Sequence, residues 1–309
     1  EVGERFEAAR AWHRSLWEAG IATDVIPAKT DPGADLSGYR LIIVPAIFID
    51  YPGLARSLEQ AAAAGAQVVV VGPTGVVDAG VGAVLGGYLG SLRPLLGVRV
   101  TDHAALSGPV EQSDPRGALV NRLSRVVGTP AAETWTGLEA VAETLHRVLD
   151  RMGSPAPDLR AGGWAEEIRV DEAPGDAEAA QGWEPAEAVA VFDGRGGGAD
   201  LAGRPAITRR AVGGTAGAAW YVAADLDALS RAALLRLVCA HARVRPVVAD
   251  LPDGVEAQRR GKVLFLLNHG DRAAEVAGVM GTDLLTGDAC TGHVVLAPRS
   301  ALVVRDNMR

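Results

Sequence analysis

The sequence predicts an α/β fold: a three-layer sheet with flanking helices, followed by a small antiparallel all-β domain. Over residues 4–71, helical patterns alternate with short apolar runs, which is typical of a parallel sheet with crossover helices. From residue 246 onward, only short β signals separated by turn residues remain. The 309 residues are 48% hydrophobic and 22% charged, which is the composition of an ordinary globular protein.

The first five predicted elements follow one another closely. In chain order they are a helix over 4–19, a strand over 22–27, a strand over 41–45, a helix over 53–64 and a strand over 67–71. Gly20 and Gly65 stand after the two helices, where glycine commonly ends a helix. The continuous apolar run of Leu41–Val44 predicts a parallel strand that is buried on both faces.

The middle of the chain is less regular. The glycine- and proline-rich residues 72–97 predict a long ordered loop with one short helical turn. The predicted elements that follow are helices over 116–123 and 137–151, exposed irregular segments over 153–157 and 174–185, strands over 187–192, 204–208 and 218–222, and a helix over 227–242. The last two strands are joined across Gly213-Gly214, and the final helix carries Leu234, Leu235 and Val238 on one face.

Six short strands are predicted in the remaining residues, over 255–259, 263–268, 273–277, 283–285, 294–297 and 301–305. Turn residues such as Asn268-His269-Gly270-Asp271 separate them. The change of character near Arg245-Pro246 predicts two domains. They are an α/β domain over 1–245, with an insertion at about 102–185, and an antiparallel β domain over 246–309.

Composition and charge exclude several classes of function. The net charge of −8 supplies no basic surface for a nucleic acid or an anionic membrane. The chain opens without a signal peptide, and its most apolar stretch, 79–97, contains too many glycines for a spanning helix, so we expect a soluble protein. Cys239 and Cys290 are isolated cysteines, which favours a reducing, cytoplasmic location over a disulfide framework.

Charged pairs and histidines give no catalytic or metal site. Glu166-Glu167 and Asp171-Glu172 are adjacent acids, but neighbours along a strand point to opposite faces, so we expect solvated charges. The six histidines show none of the spacings of a metal site, and His269 is interpreted as a turn residue. No metal ligand and no catalytic carboxylate pair is predicted.

The turn after the strand 67–71 is the place for a phosphate site or a nucleophile in an α/β fold. Here it reads Gly72-Pro73-Thr74-Gly75, without the Lys-Ser/Thr ending of a phosphate loop and without a cysteine or serine. We expect Cys239 to be a buried hydrophobic residue in the last helix and Cys290 to lie in a loop without a base. The prediction is therefore that the chain has no catalytic and no cofactor-binding residue.

Five aromatic residues allow two interpretations. They are Trp12, Trp17, Tyr39, Trp164 and Trp220, and together they could form a surface on which sugars stack. Two tryptophans on one helix more often serve packing or a subunit contact. Packing is the favoured interpretation.

Several segments are more informative in combination than separately. They are residues 12–21, 35–46, 75–78, 86–92, 95–98, 201–206, 219–222, 265–269 and 283–287. In this order and spacing they resemble the non-catalytic portion of the glycoside hydrolase family 42 β-galactosidases. The resemblance covers most of the chain and is weakest over 102–185, where this sequence carries extra residues.

The resemblance implies a parent enzyme in three parts. A (β/α)₈ barrel performs the chemistry. A middle α/β domain, similar in fold to class I glutamine amidotransferases but without their nucleophile, builds a trimer, and a small β domain follows. This sequence resembles the second and third parts, with the strand before the first helix missing. The implied partners are two further copies of the chain and an upstream catalytic barrel of the same polypeptide.

The implied activity belongs to the parent, which hydrolyses terminal non-reducing β-D-galactosides with retention. Retaining glycosidases need two carboxylates across the scissile bond. In the family the acid/base follows an asparagine, whereas Asn121, Asn268 and Asn307 precede Arg, His and Met here. The fragment itself is therefore expected to be inactive, and the Gly-rich loop over 72–92 and the first helix are the expected subunit contacts.

Two alternatives come from other classes of function. A stand-alone amidotransferase-like enzyme requires a nucleophile at the turn near Gly72. A carbohydrate-binding module requires Trp164 or Trp220 to be exposed.

Overall fold

The computed structural model describes residues 2–28, 34–106, 124–128, 159–172, 183–192 and 199–306. The chain divides into two compact units, Glu1–Trp12 with Ile26–Arg243 and His13–Val25 with Val244–Arg309. The helices predicted over 116–123 and 137–151 lie outside the described residues, as do the segment 153–157 and most of 174–185. The domain boundary near residue 245 stays a prediction.

The described helices match the predicted ones. They are α1 (Val2–Glu18), α2 (Pro52–Ala63), α3 (Arg93–Leu96) and α4 (Ala228–Ala242), with single 3₁₀ turns at Gly90–Leu92 and Ala199–Leu201. Pro52 begins α2, where its fixed φ suits the first helical turn. Asp227 caps α4, since its carboxylate accepts a 2.8 Å hydrogen bond from the backbone N–H of Ser230.

Among the described residues, nine strands form the sheet of the first unit. They are β1 (Leu41–Pro45), β2 (Gln67–Val71), β3 (Val98–Ala105), β4 (Ser124–Gly128), β5 (Leu159–Val170), β6 (Glu187–Phe192), β7 (Pro205–Ala211), β8 (Ala218–Val222) and β9 (Ala224–Leu226). Their order is β1-β2-β8-β7-β6-β4-β5-β3, with β9 paired to β5. Of these described strands, β1, β2 and β8 pair in parallel, whereas the other neighbouring strands pair antiparallel. The α/β fold is confirmed, as a mixed sheet rather than a parallel one.

Helices cover both faces of the sheet around β2 and β8. Val68 and Tyr221 belong to the buried cluster that includes Leu58 of α2. Trp220 faces the opposite way, and its ring lies 5.6 Å from the ring of His241 on α4. The predicted face of α4 is buried, since Leu234, Leu235 and Val238 are at most 1% exposed. The similarity to class I glutamine amidotransferases stays a prediction.

Two predictions about the edge of this sheet were wrong. Residues 22–27 form no strand, and Val25 is 81% exposed, because the segment pairs with no strand among the described residues. The strand at 41–45 exists, but it is not buried on both faces: Val44 is buried and its neighbours are only half-buried. The reason is that β1 lies at the edge of the sheet and pairs with β2 alone among the described strands.

The region treated as an insertion at 102–185 contains part of the sheet. Strands β3 and β5 pair antiparallel from Val98↔Val170 to Ala105↔Trp164. Charged residues of β5 such as Glu167 and Arg169 alternate with buried ones such as Ile168. A strand with one solvated face carries fewer apolar residues than a buried run, which is why the apolar pattern alone did not reveal it.

The second unit holds a five-stranded antiparallel sheet, which confirms the predicted small β domain. Its strands are β10 (Val255–Arg260), β11 (Val263–Asn268), β12 (Ala274–Asp283), β13 (Ala289–Leu296) and β14 (Ala301–Arg305), in the order β10-β11-β14-β12-β13. The strand predicted over 273–277 extends to Asp283 as β12, whereas the strand predicted over 283–285 was wrong, because residues 284 and 285 lie in the turn after β12. A bulge at Gly278 (φ 77°) interrupts the pairing of β12 with β13. This glycine explains why the sequence pattern predicted a strand end at residue 277.

None of the helices in the described ranges combines the length and the apolar character that crossing a membrane requires.

Candidate functional site

Glu166 is the buried acid of the first unit. Its side chain lies on β5 and the residue is only 1% exposed. The prediction that Glu166-Glu167 are both solvated was therefore wrong for Glu166. The strand does place the two neighbours differently: Glu167 is half-buried and lies within 3.4 Å of both Arg169 and Arg204.

Two tyrosine hydroxyls donate hydrogen bonds to the Glu166 carboxyl group. Tyr221 of β8 donates to Oε2 at 2.5 Å, and Tyr88 of the Gly-rich loop donates to Oε1 at 3.0 Å. Tyr221 is completely buried, whereas Tyr88 is half-buried. The carboxyl group therefore connects the sheet to the loop that follows β2.

The turn after β2 approaches this carboxyl group closely. A Cβ atom on Gly72 would lie 2.2 Å from Glu166 Oε2 and 2.8 Å from the Tyr221 hydroxyl, so this position requires glycine. The peptide bond between Gly72 and Pro73 is cis. Thr74 is 1% exposed, and its hydroxyl donates to Val71 O at 2.6 Å and accepts from Ile47 N at 3.1 Å. The Thr74 hydroxyl is thus buried, with both a donor and an acceptor partner in the backbone.

Burial raises the pKa of Glu166 to about 7, against the hydrogen bonds from Tyr221 and Tyr88, which lower it. Burial beside this acid also raises the pKa of both tyrosines. At neutral pH the carboxyl group is therefore divided between its protonated and ionised forms, while both phenols stay protonated.

This geometry does not provide the carboxylate pair of a retaining glycosidase. Glu167 is engaged by two arginines, and Asp171 accepts hydrogen bonds from Arg93 Nε and Nη2, both at 2.8 Å. A single buried acid held by two phenols can hold and release a proton. It cannot supply both an acid/base and a nucleophile.

The Gly-rich loop is ordered by its own polar contacts. Asp78 accepts hydrogen bonds from the N–H groups of Gly80 and Gly82, both at 2.8 Å, and Asp50 accepts from the Ser91 hydroxyl at 2.5 Å. The loop nevertheless presents apolar side chains to solvent: Val81 is 72% exposed and Leu85 is 90% exposed. Val81 and Leu85 are therefore available for contact with another molecule.

The cysteines are not positioned as nucleophiles. Cys239 is buried in α4, as predicted, and burial raises the pKa of its thiol to about 12. The prediction for Cys290 was wrong, because this residue is buried on β13 rather than placed in a loop. Burial raises its pKa as well. Low-pKa, accessible thiolates are the reactive ones, and neither cysteine is of that kind.

The aromatic residues and His269 are mostly used in packing. Trp12 is 4% exposed and Trp220 is 1% exposed, whereas Trp17 and Trp164 are half-buried. His269 lies in the predicted turn, with its Nε2 2.9 Å from Glu256 and its ring 6.0 Å from that of Trp17. Within the described ranges, no group of three or more histidine, cysteine or acidic residues is placed to hold a metal ion.

Two family models match this chain. The β-galactosidase trimerisation domain matches residues 3–143, and the β-galactosidase C-terminal domain matches residues 254–306. The two matched ranges occur in the order expected of one polypeptide and together cover more than half of the chain.

Curated relatives and solved structures agree with these matches. A β-galactosidase from Arthrobacter sp. is 32% identical over 92% of this chain and 32% of its own length. The β-galactosidase BgaA from Planococcus sp. is 26% identical over 95% of this chain and 36% of its own length. The chain thus spans about a third of the curated relatives it matches.

Solved structures share the fold. The β-galactosidase from Bacillus circulans sp. alkalophilus superposes with a TM-score of 0.73 at 22% identity, over 98% of this chain and 37% of that one. The β-galactosidase from Halorubrum lacusprofundi gives a TM-score of 0.68 at 23% identity, over 98% of this chain and 36% of that one. At these identities the likeness concerns the fold alone.

Proposed function

The chain carries the trimerisation and C-terminal domains of the glycoside hydrolase family 42 β-galactosidases, and on that premise we propose that it is the assembly region of such an enzyme. The complete polypeptide hydrolyses terminal non-reducing β-D-galactosides with retention, and its catalytic barrel lies outside the 309 residues. The observation that carries this proposal is the match of both non-catalytic domains, in order, to a chain about a third as long as its relatives.

The surroundings of Glu166 support the proposal that this part of the polypeptide performs no catalysis. Glu166 is enclosed, and its two carboxyl oxygens accept hydrogen bonds from Tyr88 and Tyr221. We propose that no residue of the chain is catalytic, binds a cofactor or holds a metal. The protein acts in the cytoplasm, through its contacts with further copies of itself.

The assembly is a homotrimer formed through the α/β domain, which spans 1–245 and precedes the β domain over 246–309. A ring of three uses heterologous contacts, in which one surface of a subunit binds a different surface of the next. The exposed apolar tip at Val81 and Leu85 supports a contact at the Gly-rich loop. Burying both side chains removes apolar surface from water, which is the main favourable term in association.

Light scattering on the purified chain tests the assembly. We expect a molar mass three times that of one chain, independent of dilution over the micromolar range. The variant Val81→Asp/Leu85→Asp is expected to shift this mass to that of a monomer, because a buried, unpaired carboxylate is costly in an interface.

A matched control is Leu285→Asp, at a residue of the second unit that is 64% exposed. This change introduces one carboxylate on an exposed leucine that does not belong to the Gly-rich loop, so the mass is expected to stay trimeric. A monomeric parent chain, or a trimer that survives the double substitution, would overturn the proposed assembly through this loop.

Neither alternative is favoured. A carbohydrate-binding module needs exposed aromatic rings, whereas Trp220 is buried and Trp164 is half-buried. A stand-alone amidotransferase-like enzyme needs a nucleophile at the turn after β2, where Thr74 is buried and hydrogen-bonded.

A further inference from the structure

Residues 76–84 of the Gly-rich loop form a short hairpin turn. Val84 N donates a hydrogen bond to Val76 O at 3.1 Å, and Val76 N donates to Phe48 O at 2.8 Å. The first bond closes the hairpin, and the second fixes it to the segment that follows β1. The hairpin is therefore held in place by its backbone, and the side chains at its tip are not needed for that purpose.

Two glycines at the tip of the hairpin make room for the carboxylate of Asp78. The Oδ1 atom of Asp78 accepts hydrogen bonds from the N–H groups of Gly80 and Gly82, both at 2.8 Å. A Cβ atom on Gly80 would lie 3.3 Å from Oδ1, and one on Gly82 would lie 3.0 Å from Oδ2. Neither glycine has a positive φ angle. Close approach of the carboxylate, and not an unusual backbone conformation, therefore explains both glycines.

Val81, between these two glycines, has the backbone conformation that usually requires glycine. Its φ angle is 64°, which lies in the left-handed region where a β-branched residue is an outlier. The side chain is 72% exposed, so it adds little to the core and does not compensate for the strain within the chain. Strained residues of this kind cluster at functional sites, where the surroundings need the side chain at that position. For the fold alone, glycine would be the better residue here.

We propose that Val81 is a strained contact residue of the subunit interface, held by the hairpin against an apolar surface of a second copy of the chain. This inference rests on the assembly proposed above and assigns a specific role in it to one residue. Leu85, which is 90% exposed on the same loop, extends the contact. Because the backbone of the hairpin is already fixed, binding orders few additional groups, and more of the free energy of apolar burial remains as affinity.

The charge of the chain favours a second copy as the partner at this loop. Residues 79–92 contain no charged side chain, so they offer nothing to a nucleic acid or an anionic membrane. Each copy carries a net charge of −8, and two copies therefore meet with the least repulsion through uncharged surfaces. The loop also lies within residues 3–143, which match the trimerisation domain. An apolar surface of another copy is thus the partner that these observations support.

The protein concentration at which half of the chains are trimeric tests the contact. It is measured by sedimentation of the fluorescently labelled 309-residue chain over nanomolar to micromolar concentrations. Val81→Gly removes the apolar side chain, and we expect this concentration to rise at least tenfold. Val295→Gly is the matched control: it truncates a valine that is 69% exposed on β13, and the assembly should not change.

The melting temperature tests the strain in chains that do not assemble. Both valine variants are made in a Leu85→Asp background and measured at a concentration where light scattering shows monomers. Val81→Gly is expected to raise the melting temperature by about 2 °C, because glycine adopts a positive φ without strain. Val295→Gly is expected to lower it, because glycine weakens a strand. A substitution that stabilises the chain and weakens its assembly is not expected of a residue that serves packing.

The outcomes separate this inference from the proposed assembly. An unchanged half-assembly concentration in Val81→Gly would overturn the contact and leave the trimer in place. A lower melting temperature in Val81→Gly would overturn the strain at this position. A parent chain that is monomeric at all of these concentrations would overturn the assembly itself, and this contact with it.

Discussion

Replacing Glu166 by glutamine is expected to stabilise the folded chain increasingly as the pH rises. The pKa of this carboxyl group is about 7 in the folded protein, against 4.5 for an ordinary glutamate. Between these values the folded state holds a proton that the unfolded state has lost, so the stability of the parent chain falls as the pH rises from 4.5 to 7. Glutamine stays neutral in both states. The difference in unfolding free energy between the two proteins should therefore increase by up to about 3 kcal/mol as the pH rises.

The measurement is urea unfolding of both proteins at pH 5 and pH 8. The difference in unfolding free energy between the two proteins is compared at the two pH values. Other titrating groups contribute equally to both proteins and cancel. Glu167→Gln is the control: its side chain keeps about a fifth of its surface exposed beside two arginines, so its effect is expected to stay within about 1 kcal/mol. If the difference in unfolding free energy between Glu166→Gln and the parent did not change with pH, Glu166 would not be held protonated by burial.

Replacing Trp220 by alanine is expected to destabilise the chain by about 4 kcal/mol, the usual cost of removing a fully buried tryptophan. The residue is 1% exposed. Its indole Nε1 donates to Gln67 Oε1 at 2.9 Å, and Gln67 is itself completely buried. The substitution leaves both a cavity and an unsatisfied carbonyl oxygen in the core between β8 and α4.

Trp220→Phe separates these two contributions, because it retains an aromatic ring but not the N–H group. It is expected to cost about 1–3 kcal/mol, the penalty of an unsatisfied buried acceptor. Trp164→Ala, at a half-buried aromatic position on β5, should cost less than Trp220→Ala. A Trp220→Ala protein as stable as its parent would mean that this side chain is not part of the core, and would revive an exposed sugar-binding role.

Much of the fold was predictable because local and tertiary signals agree in it. Helix α2 begins at a proline and is followed by a glycine with φ of 105°, and β2 is an apolar run that the structure buries completely. The hairpin of β7 and β8 turns at Gly213-Gly214, whose φ angles of 63° and 64° are those that glycine makes accessible. In these segments sequence pattern and packing lead to the same structure.

The missed features depend on partners that are distant in the sequence. Residues 22–27 have a strand-like composition, but composition does not supply a neighbouring strand. Strand β5 became recognisable only through its pairing with β3 and β4. A strand with mixed charged and apolar residues needs such pairing to be distinguished from an irregular insertion.

The alternation of inward and outward side chains along β5 was not enough to predict that Glu166 is buried. The register of β5 with β9 shifts between Ala161 and Ala165, and Ala165 and Glu166 are consecutive buried residues. Two consecutive buried residues do not fit a strict alternation of buried and exposed side chains. One signal was available: Tyr221 lies within the apolar run of β8, and a buried tyrosine hydroxyl usually has a hydrogen-bond partner.

An activity assay asks most directly whether this chain is a scaffold whose chemistry is performed elsewhere in the polypeptide. The 309-residue protein is purified from a host whose own β-galactosidase has been deleted and is incubated with a chromogenic β-galactoside. We expect no release of the chromophore above that of a mock purification, at any pH between 5 and 8. Hydrolysis that co-elutes with the chain and stays proportional to its concentration would contradict the account.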